Sequence, residues 1–353
     1  MSAAPLRVAV LGGGTVGHAV VRAFAAWPER LAADGGRRLE LVGIAVRDVE
    51  RARGRGLPAD LLTDAPAHLV ADPETDVIVE LMGGDEPART LIVAALGAGK
   101  AVVTANKHVI AHHGAELEAV ARRTGAALRF EASVGGGIPV LGPLAGELAA
   151  NRVRAVRGIV NGTTNYILTA MTDEGRSYDE VLAAAQAAGY AEADPAGDVE
   201  GHDAVNKLVI LARLAFGAWI EPSEVATAAA NGPGHGRPGI TGVTAADIAV
   251  AAAEGGVIKL LAVADRDEGR AGIRASVLPT RVPATSPLGR TAGVLNRIEI
   301  DAEPVGTVAF EGPGAGGAAT SSAVLGDLLA IARDAGSTWA GLPPAMARAG
   351  AGR

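Results

Sequence analysis

From Leu6 to Leu11 the chain is almost wholly apolar, the pattern of a strand buried on both faces. Gly12, Gly13 and Gly14 interrupt it, and apolar positions then recur at helical spacing from Thr15 to Trp27. Residues 28–38 read as a loop leading to a second apolar run, Leu39–Val46, and residues 48–60 read as basic and irregular. Asp76–Met82 (DVIVELM) is another buried-strand pattern, closed by Gly83-Gly84. Pro87 suits the first position of the next helix, where its missing N–H costs nothing. That helix reaches about Gly97, and Ala101–Thr104 is a fourth strand. Strands and helices alternating in this way predict a parallel sheet with helices on both faces. After about residue 134 the rhythm changes. Val153–Val160 reads as a strand, Ser177 with Glu180 as a capping box before an Ala-rich helix, and Gly201–Phe216 as a second helix. Val257–Val263 and Ile273–Leu278 look like strands of a separate sheet, and Thr320, Ser321 and Ser322 are placed to cap a helix reaching about Ala335.

Composition narrows the classes. The 353 residues suggest about two domains. With 49% hydrophobic and 20% charged residues, disorder is excluded, and with 3% aromatics the core must be built from Ala, Val, Leu and Ile. The absence of cysteine excludes disulfides, Cys-ligated zinc, iron–sulfur clusters and thiol catalysis. A net charge of −7 argues against a nucleic-acid partner. The start, MSAAPLRVAVLGGG, lacks the features of a signal peptide. No window approaches ~18 uninterrupted apolar residues, so no membrane partner is expected and the cytoplasm is the expected location.

Gly12-x-Gly14-x-x-Gly17 stands between the first predicted strand and helix, with Thr15 and Val16 inside the motif. In that context it predicts a Rossmann-type dinucleotide-binding loop. One glycine allows a tight turn, the next allows close approach to a pyrophosphate, and the third allows close helix–strand packing. The helix N-terminus then directs N–H groups and partial positive charge at the phosphates. The second strand runs into Val46-Arg47-Asp48. Arg47, with Arg51 or Arg53 nearby, suits the 2′-phosphate of NADP, whereas Asp48 would support NAD.

At Thr104-Ala105-Asn106-Lys107 a more specific pattern begins. Together with ELMGG (80–84), GKAVVTANK (99–107), EASVGGGIPVL (131–141), NGTTNYIL (161–168), GYAEADPAGDVEGHDAVNK (189–207), GVIKLLAVADR (256–266), GPGAGG (312–317) and VLGDLLAIA (324–332), the chain resembles the homoserine dehydrogenase family. The resemblance implies an oxidoreductase that interconverts L-homoserine and L-aspartate 4-semialdehyde by hydride transfer with NADP or NAD. It makes Lys207 the proton donor in the reduction direction and puts Lys107 at the junction of coenzyme and substrate. A lysine suits proton transfer when its surroundings bring its pKa toward the working pH. Homoserine is a zwitterion whose ammonium needs carboxylates, and the resemblance gives that task to Glu192 and Asp203, with Asp198 a near neighbour. Asp203 and Lys207, four apart, share a helix face. Thr104, Gly189 and Gly316 are placed near the coenzyme. Glu131, Val134, Gly136 and Ile138 resemble the family's monovalent-cation site, a structural Na+ or K+ held by one carboxylate and backbone carbonyls; a glycine-rich hinge without an ion is the alternative. The adjacent His112 and His113 read as exposed loop residues, and no role is assigned to His202.

The resulting fold class is α/β, a Rossmann-type domain plus an α+β catalytic and dimerisation domain. By resemblance, residues 1–134 with 318–340 bind NAD(P), 143–271 are catalytic, and 135–142 with 272–317 form a homodimer. Residues 341–353 read as a disordered tail. The chain ends about 20 residues after the last family helix, so a C-terminal regulatory domain, and inhibition by threonine through one, are not expected. Two other readings stand beside this one. A catalytically silent dinucleotide-binding regulator would be expected to lose some of Lys107, Glu192, Asp203 and Lys207. An oxidoreductase for a substrate without an amine would lack the acidic segment.

Overall fold

The computed structural model describes residues 4–266 and 272–345. The chain forms two compact units, Met1–Gly146 with Ala315–Pro344, and Glu147–Gly314 with Ala345–Arg353. In the first unit the chain runs through β1 (Leu6–Leu11), α1 (Thr15–Ala26), α2 (Pro28–Gly35), β2 (Leu39–Ala45), α3 (Val49–Gly54), β3 (Leu62–Thr63) and α4 (Pro66–Ala71). It continues through β4 (Val77–Glu80), α5 (Ala88–Gly97), β5 (Ala101–Thr104), α6 (Lys107–Thr124), β6 (Leu128–Arg129) and α7 (Leu141–Ala145). The last helix of the chain, Gly317–Ala332, belongs to the same unit and packs on α1. Its six strands are all parallel, in the order β3-β2-β1-β4-β5-β6. Strands β1 and β4 are apolar throughout except Arg7 and Glu80 because helices cover both faces of the sheet. The strand order reverses between β1 and β4, the switch point at whose carboxyl ends α/β sheets bind ligands.

Local rules explain the segments that periodicity missed. Residues 28–38 are not a loop: Pro28 opens α2 at its first position, and Gly36 closes it with φ 72°. The basic stretch after residue 48 contains α3, which Asp48 caps by accepting the Arg51 N–H at 2.9 Å. Asn106 caps α6 by accepting from Val109, and Gly125 ends that helix with φ 74°. His112 and His113 therefore lie on a helix, not in a loop; the His112 ring stacks on His108, and His113 Nε2 pairs with Asp85 at 2.8 Å. The last helix begins at Gly317 after N-cap Gly316, so Thr320, Ser321 and Ser322 lie inside it rather than capping it.

The second unit contains β7 (Arg152–Ile159), α8 (Gly162–Glu174), α9 (Tyr178–Ala187), α10 (Ala196–Val199), α11 (His202–Phe216) and α12 (Ala245–Ala253). After these come β8 (Gly256–Arg266), β9 (Ile273–Pro283), α13 (Pro287–Arg290), β10 (Leu295–Glu303) and β11 (Gly306–Pro313). The strands form one antiparallel sheet, β11-β10-β7-β8-β9. Residues 273–313 share this sheet with β7 and β8, and residues 135–146 belong to the first unit. Helix α9 has the predicted capping box, with Ser177 and Glu180 satisfying each other's backbone N–H. Helix α11 is buried on nearly every side. Of the tail, residues 346–353 lie outside the described residues, while the Leu342 and Pro343 carbonyls accept from Arg122.

Lys259 is an intruder in the apolar pattern of β8. It is 3% exposed and donates to Asn165 Oδ1 at 3.0 Å and the Thr291 carbonyl at 2.7 Å. Burial pulls its pKa down to about 8. From about pH 8 to 10.5 the folded state has released this proton and the unfolded state still binds it, so stability rises with pH across that window. Relative to Lys259→Met, the native chain is expected to gain about 1.5 kcal/mol between pH 8 and 9.5. Denaturant unfolding at the two pH values checks this, and a pH-independent difference would refute it.

Candidate active site

The first unit holds a groove of about 570 Å3 at the carboxyl ends of its strands, lined among others by Gly12, Gly14, Arg47, Arg51, Arg55 and Gly84. Gly12 has φ 116°, and a Cβ there would fall 2.5 Å from the Leu81 carbonyl oxygen. A Cβ on Gly17 would fall 1.9 Å from the Gly12 carbonyl oxygen, whereas nothing lies within 4 Å of one on Gly14. The loop is thus closed toward the sheet and open toward the groove. No side chain caps α1 at Gly14 or the last helix at Gly316, and a Cβ on Gly317 would lie 2.9 Å from Thr15. Two uncapped helix N-termini therefore stand together, with their first N–H groups available to a diphosphate. Thr15 is exposed and Val16 half-buried in this loop.

At the end of β2, the Asp48 carboxylate that would hold a ribose hydroxyl is engaged in capping α3. Arg47, Arg51 and Arg55 reach the groove, and among the described residues none of them has a carboxylate partner. Arg53 instead pairs with Glu50 at 2.8 Å. The residues present thus fit a dinucleotide, and the arginines fit one carrying an additional phosphate.

Deeper in the sheet, Glu80 is fully buried at the end of β4. It accepts from Thr104 Oγ1 at 2.6 Å and from the Met82 N–H at 2.7 Å. Burial holds its pKa above the usual carboxylate range, and these hydrogen bonds oppose that rise. Thr104 Oγ1 also accepts from the Asn106 N–H, while Asn106 donates to the Gly84 carbonyl. The network ties the β4 and β5 ends together and sets Lys107 as the first residue of α6, where it is half-buried.

In the second unit, Lys207 is 7% exposed on α11. Its Nζ donates to the Val160 carbonyl at 2.6 Å and to Asp203 Oδ2 at 2.7 Å. One carboxamide organises the acids: Asn161 Nδ2 donates to Asp203 Oδ2 at 2.9 Å and to Asp198 Oδ1 at 2.7 Å. The opposite face of Asn161 caps α8 by accepting from Thr164. A buried lysine held by a carboxylate and a carbonyl at fixed distances is suited to delivering or receiving a proton.

A sequence profile described as homoserine dehydrogenase matches residues 139–329, and one described as homoserine dehydrogenase, NAD binding domain, matches residues 12–131. The curated homoserine dehydrogenase of Corynebacterium glutamicum is 44% identical over 347 residues, covering 95% of this chain and 76% of that protein. The crystal structure of a homoserine dehydrogenase from Thiobacillus denitrificans matches with TM-score 0.88 and 40% identity, over 94% of this chain and 74% of that one. The chain belongs to the homoserine dehydrogenase family. It is an NAD(P)-dependent oxidoreductase. A hyperthermophilic archaeal homoserine dehydrogenase in complex with NADPH matches with TM-score 0.77 and 27% identity, over 94% of this chain and 98% of that one.

Set beside the family motifs, the structure joins Asp198, Asp203 and Lys207 in one hydrogen-bonded cluster. Glu192 is exposed in the turn after Gly189 (φ 77°), and its backbone carbonyl accepts from Gln186. Thr104 spends its hydroxyl inside the sheet on Glu80. Both oxygens of the Glu131 carboxylate are also engaged. They accept the N–H groups of Val140, Leu141 and Gly142 at 2.7–2.8 Å, capping α7. Burial, with the nearby Asp327 carboxylate, pushes the Glu131 pKa up. Asp327 is buried against Arg129 at 2.8 Å and accepts the Glu131 N–H. Sequence reasoning passed over Glu80 and Asp327 as individual residues, while its reading of Asn161–Tyr166 as polar groups lining the site includes the Asn161 amide that holds Asp198 and Asp203. The available signal was a charge or amide set among apolar neighbours, as in VIVE (77–80) and VLGDLL (324–329).

Proposed function

We propose that the homoserine dehydrogenase activity of this chain, the NAD(P)-dependent interconversion of L-homoserine and L-aspartate 4-semialdehyde, runs through Lys207. The observation that carries this reading is the buried Nζ held at 2.6 Å and 2.7 Å by Val160 and Asp203. The coenzyme, when bound, accepts hydride from the alcohol carbon or returns it to the aldehyde. Lys207 donates the proton to the aldehyde oxygen in reduction and receives it from the hydroxyl in oxidation. Asp203 fixes the lysine's orientation through its Oδ2, and Asn161 fixes Asp203. The substrate ammonium draws on Asp198 and Asp203, and on Glu192 as the exposed carboxylate of the same segment. Lys107 is carried over from the family motifs as the residue at the junction of coenzyme and substrate, and Gly189 as one near the coenzyme. Purified protein mixed with L-homoserine and either coenzyme should form the reduced coenzyme, read by its absorbance; no signal with either would overturn the reading.

NADP is the coenzyme this groove favours, because Arg47 and Arg51 are available to a 2′-phosphate while Asp48 caps α3. Arg47→Ala should lower the ratio of kcat/KM for NADP to that for NAD by about tenfold or more, as expected for one hydrogen bond to a charged group. An unchanged ratio would remove Arg47 from this role. For the cation, the carbonyls of Val134, Gly136 and Ile138 join the Glu131 carboxylate, whose Oε2 accepts one N–H and Oε1 two; hard oxygen ligands suit Na+ or K+. A homodimer through the second unit agrees with β11, which pairs only with β10 among the described residues. No helix among the described residues is long and apolar enough to cross a membrane. A cytoplasmic location, where the small-molecule substrate and coenzyme are metabolites, completes the reading.

A further inference from the structure

Asn296 is the second residue of β10 and is fully buried, yet neither its Oδ1 nor its Nδ2 has a hydrogen-bond partner. Buried amides are nearly always paired, so one left open on both sides calls for a reason. The strand register supplies its location. Strand β10 pairs with β7 through Arg297↔Ile159 and Ile298↔Gly158, which carries Asn296 to the level of Val160. Val160 is the residue whose carbonyl receives Lys207, and it is followed by Asn161, the clamp on Asp198 and Asp203. The backbone that carries the carboxamide is held from several sides. Asn165 donates to the Leu295 carbonyl, Lys259 donates to Asn165, and Gly312 pairs with Asn296 from β11. Gly314 lies against the amide so closely that a Cβ there would come within 2.0 Å of Nδ2 and 2.5 Å of Oδ1. Glycine at 314 is thus what allows the polar side chain at 296, where an apolar residue would satisfy the core better.

We propose that Asn296 is a positioning residue for Lys207. Its donor and acceptor hold an internal water at the Val160 end of β7, and this polar contact keeps the Val160 carbonyl aimed at the ammonium. The two fit each other in chemistry: an internal water needs two to four polar partners, and the carboxamide offers one donor and one acceptor. The inference rests on Lys207 as the proton-transfer group, whose charged neighbours include Asp203 on its own helix and, through Asn161, Asp198.

The test compares Asn296→Leu, Asn296→Ser and Lys207→Ala in the full chain. Asn296→Leu keeps the branched outline and removes the polarity but adds bulk beside Gly314, so thermal unfolding first establishes that it is folded. Its kcat should fall about tenfold with KM for L-homoserine within twofold, and the lysine limb of its pH–kcat profile should move to lower pH, because an ammonium that has lost a well-aimed carbonyl acceptor loses its proton sooner. Asn296→Ser retains a hydroxyl and should recover kcat to within about threefold of native. A folded Asn296→Leu with native kcat and profile overturns the proposal, as does a Ser variant as slow as Leu, which would mark a packing role. Should the Leu variant fail to fold, the Ser variant decides: near-native kcat and pH profile support the proposal, and a tenfold loss overturns it. If Lys207→Ala retains turnover, the underlying site reading fails instead; if it loses turnover while Asn296→Leu is native, only this inference fails.

Discussion

Lys207→Ala should reduce kcat for L-homoserine oxidation by about a thousandfold while leaving NADPH binding unchanged. General acid–base groups typically contribute 10²–10⁴ in rate, and Lys207 is the buried cation of the second-unit cluster, with the Val160 carbonyl at 2.6 Å and Asp203 at 2.7 Å. Removing it leaves the Asn161 amide on Asp203 at 2.9 Å, so the carboxylate is not left unpartnered and α11 keeps its apolar packing. The coenzyme groove is formed entirely by residues of the first unit and contains no atom of Lys207. Titration with NADPH should therefore give a native dissociation constant, which separates lost chemistry from lost folding. Turnover within about fivefold of native in this variant would remove Lys207 from proton transfer.

How much of this was legible in the sequence depended on the range of the interaction. Strands β1, β2, β4 and β5 were legible because burial on both faces writes an unbroken apolar run. The Gly12–Gly17 loop was legible because its backbone conformation excludes side chains, as the Leu81 and Gly12 carbonyls show. The Asp203–Lys207 pair could be read from its four-residue spacing, and the wider site from family motifs. Helices α2 and α3 were missed because both are short and charged, and they start from a proline and an aspartate cap rather than from an apolar stripe. What no local pattern revealed was contact across long sequence separation. Asn161 reaches Asp198 and Asp203 some forty residues later, and Asp327 meets Arg129 across almost two hundred. The Glu131 carboxylate is a further case: its acceptance of three N–H groups of α7, nine to eleven residues on, is not written in the EASVGGG spacing. Neither β10 nor β11 stood out in the sequence, so Asn296 could not be placed beside Val160 before the register was known.

Gly17→Ala is expected to be the most damaging single-methyl change in the first unit. The φ of Gly17 is helical, so the new residue would not be strained by its own backbone; the damage is steric. Its Cβ would stand 1.9 Å from the Gly12 carbonyl oxygen and 2.9 Å from the Gly12 carbonyl carbon, where real Cβ atoms do not go. Gly12 cannot retreat, because it already lies against the Leu81 backbone, with a hypothetical Cβ of its own at 2.5 Å. Helix α1 must therefore lift from β1, carrying with it the N–H groups that face the diphosphate and the contact between Thr15 and Gly317. Overpacking of this kind costs about 1–3 kcal/mol, and misplacing the N–H array should weaken NADPH binding about a hundredfold, equivalent to about 2.7 kcal/mol. Gly14→Ala is the control, since a Cβ there meets nothing within 4 Å. It should keep the native thermal midpoint and perturb only the coenzyme's approach. Thermal unfolding and NADPH titration of the two variants decide the matter. Equal midpoints with equal affinities would show that the loop tolerates a side chain at Gly17 and that close helix–strand packing is not what positions the coenzyme.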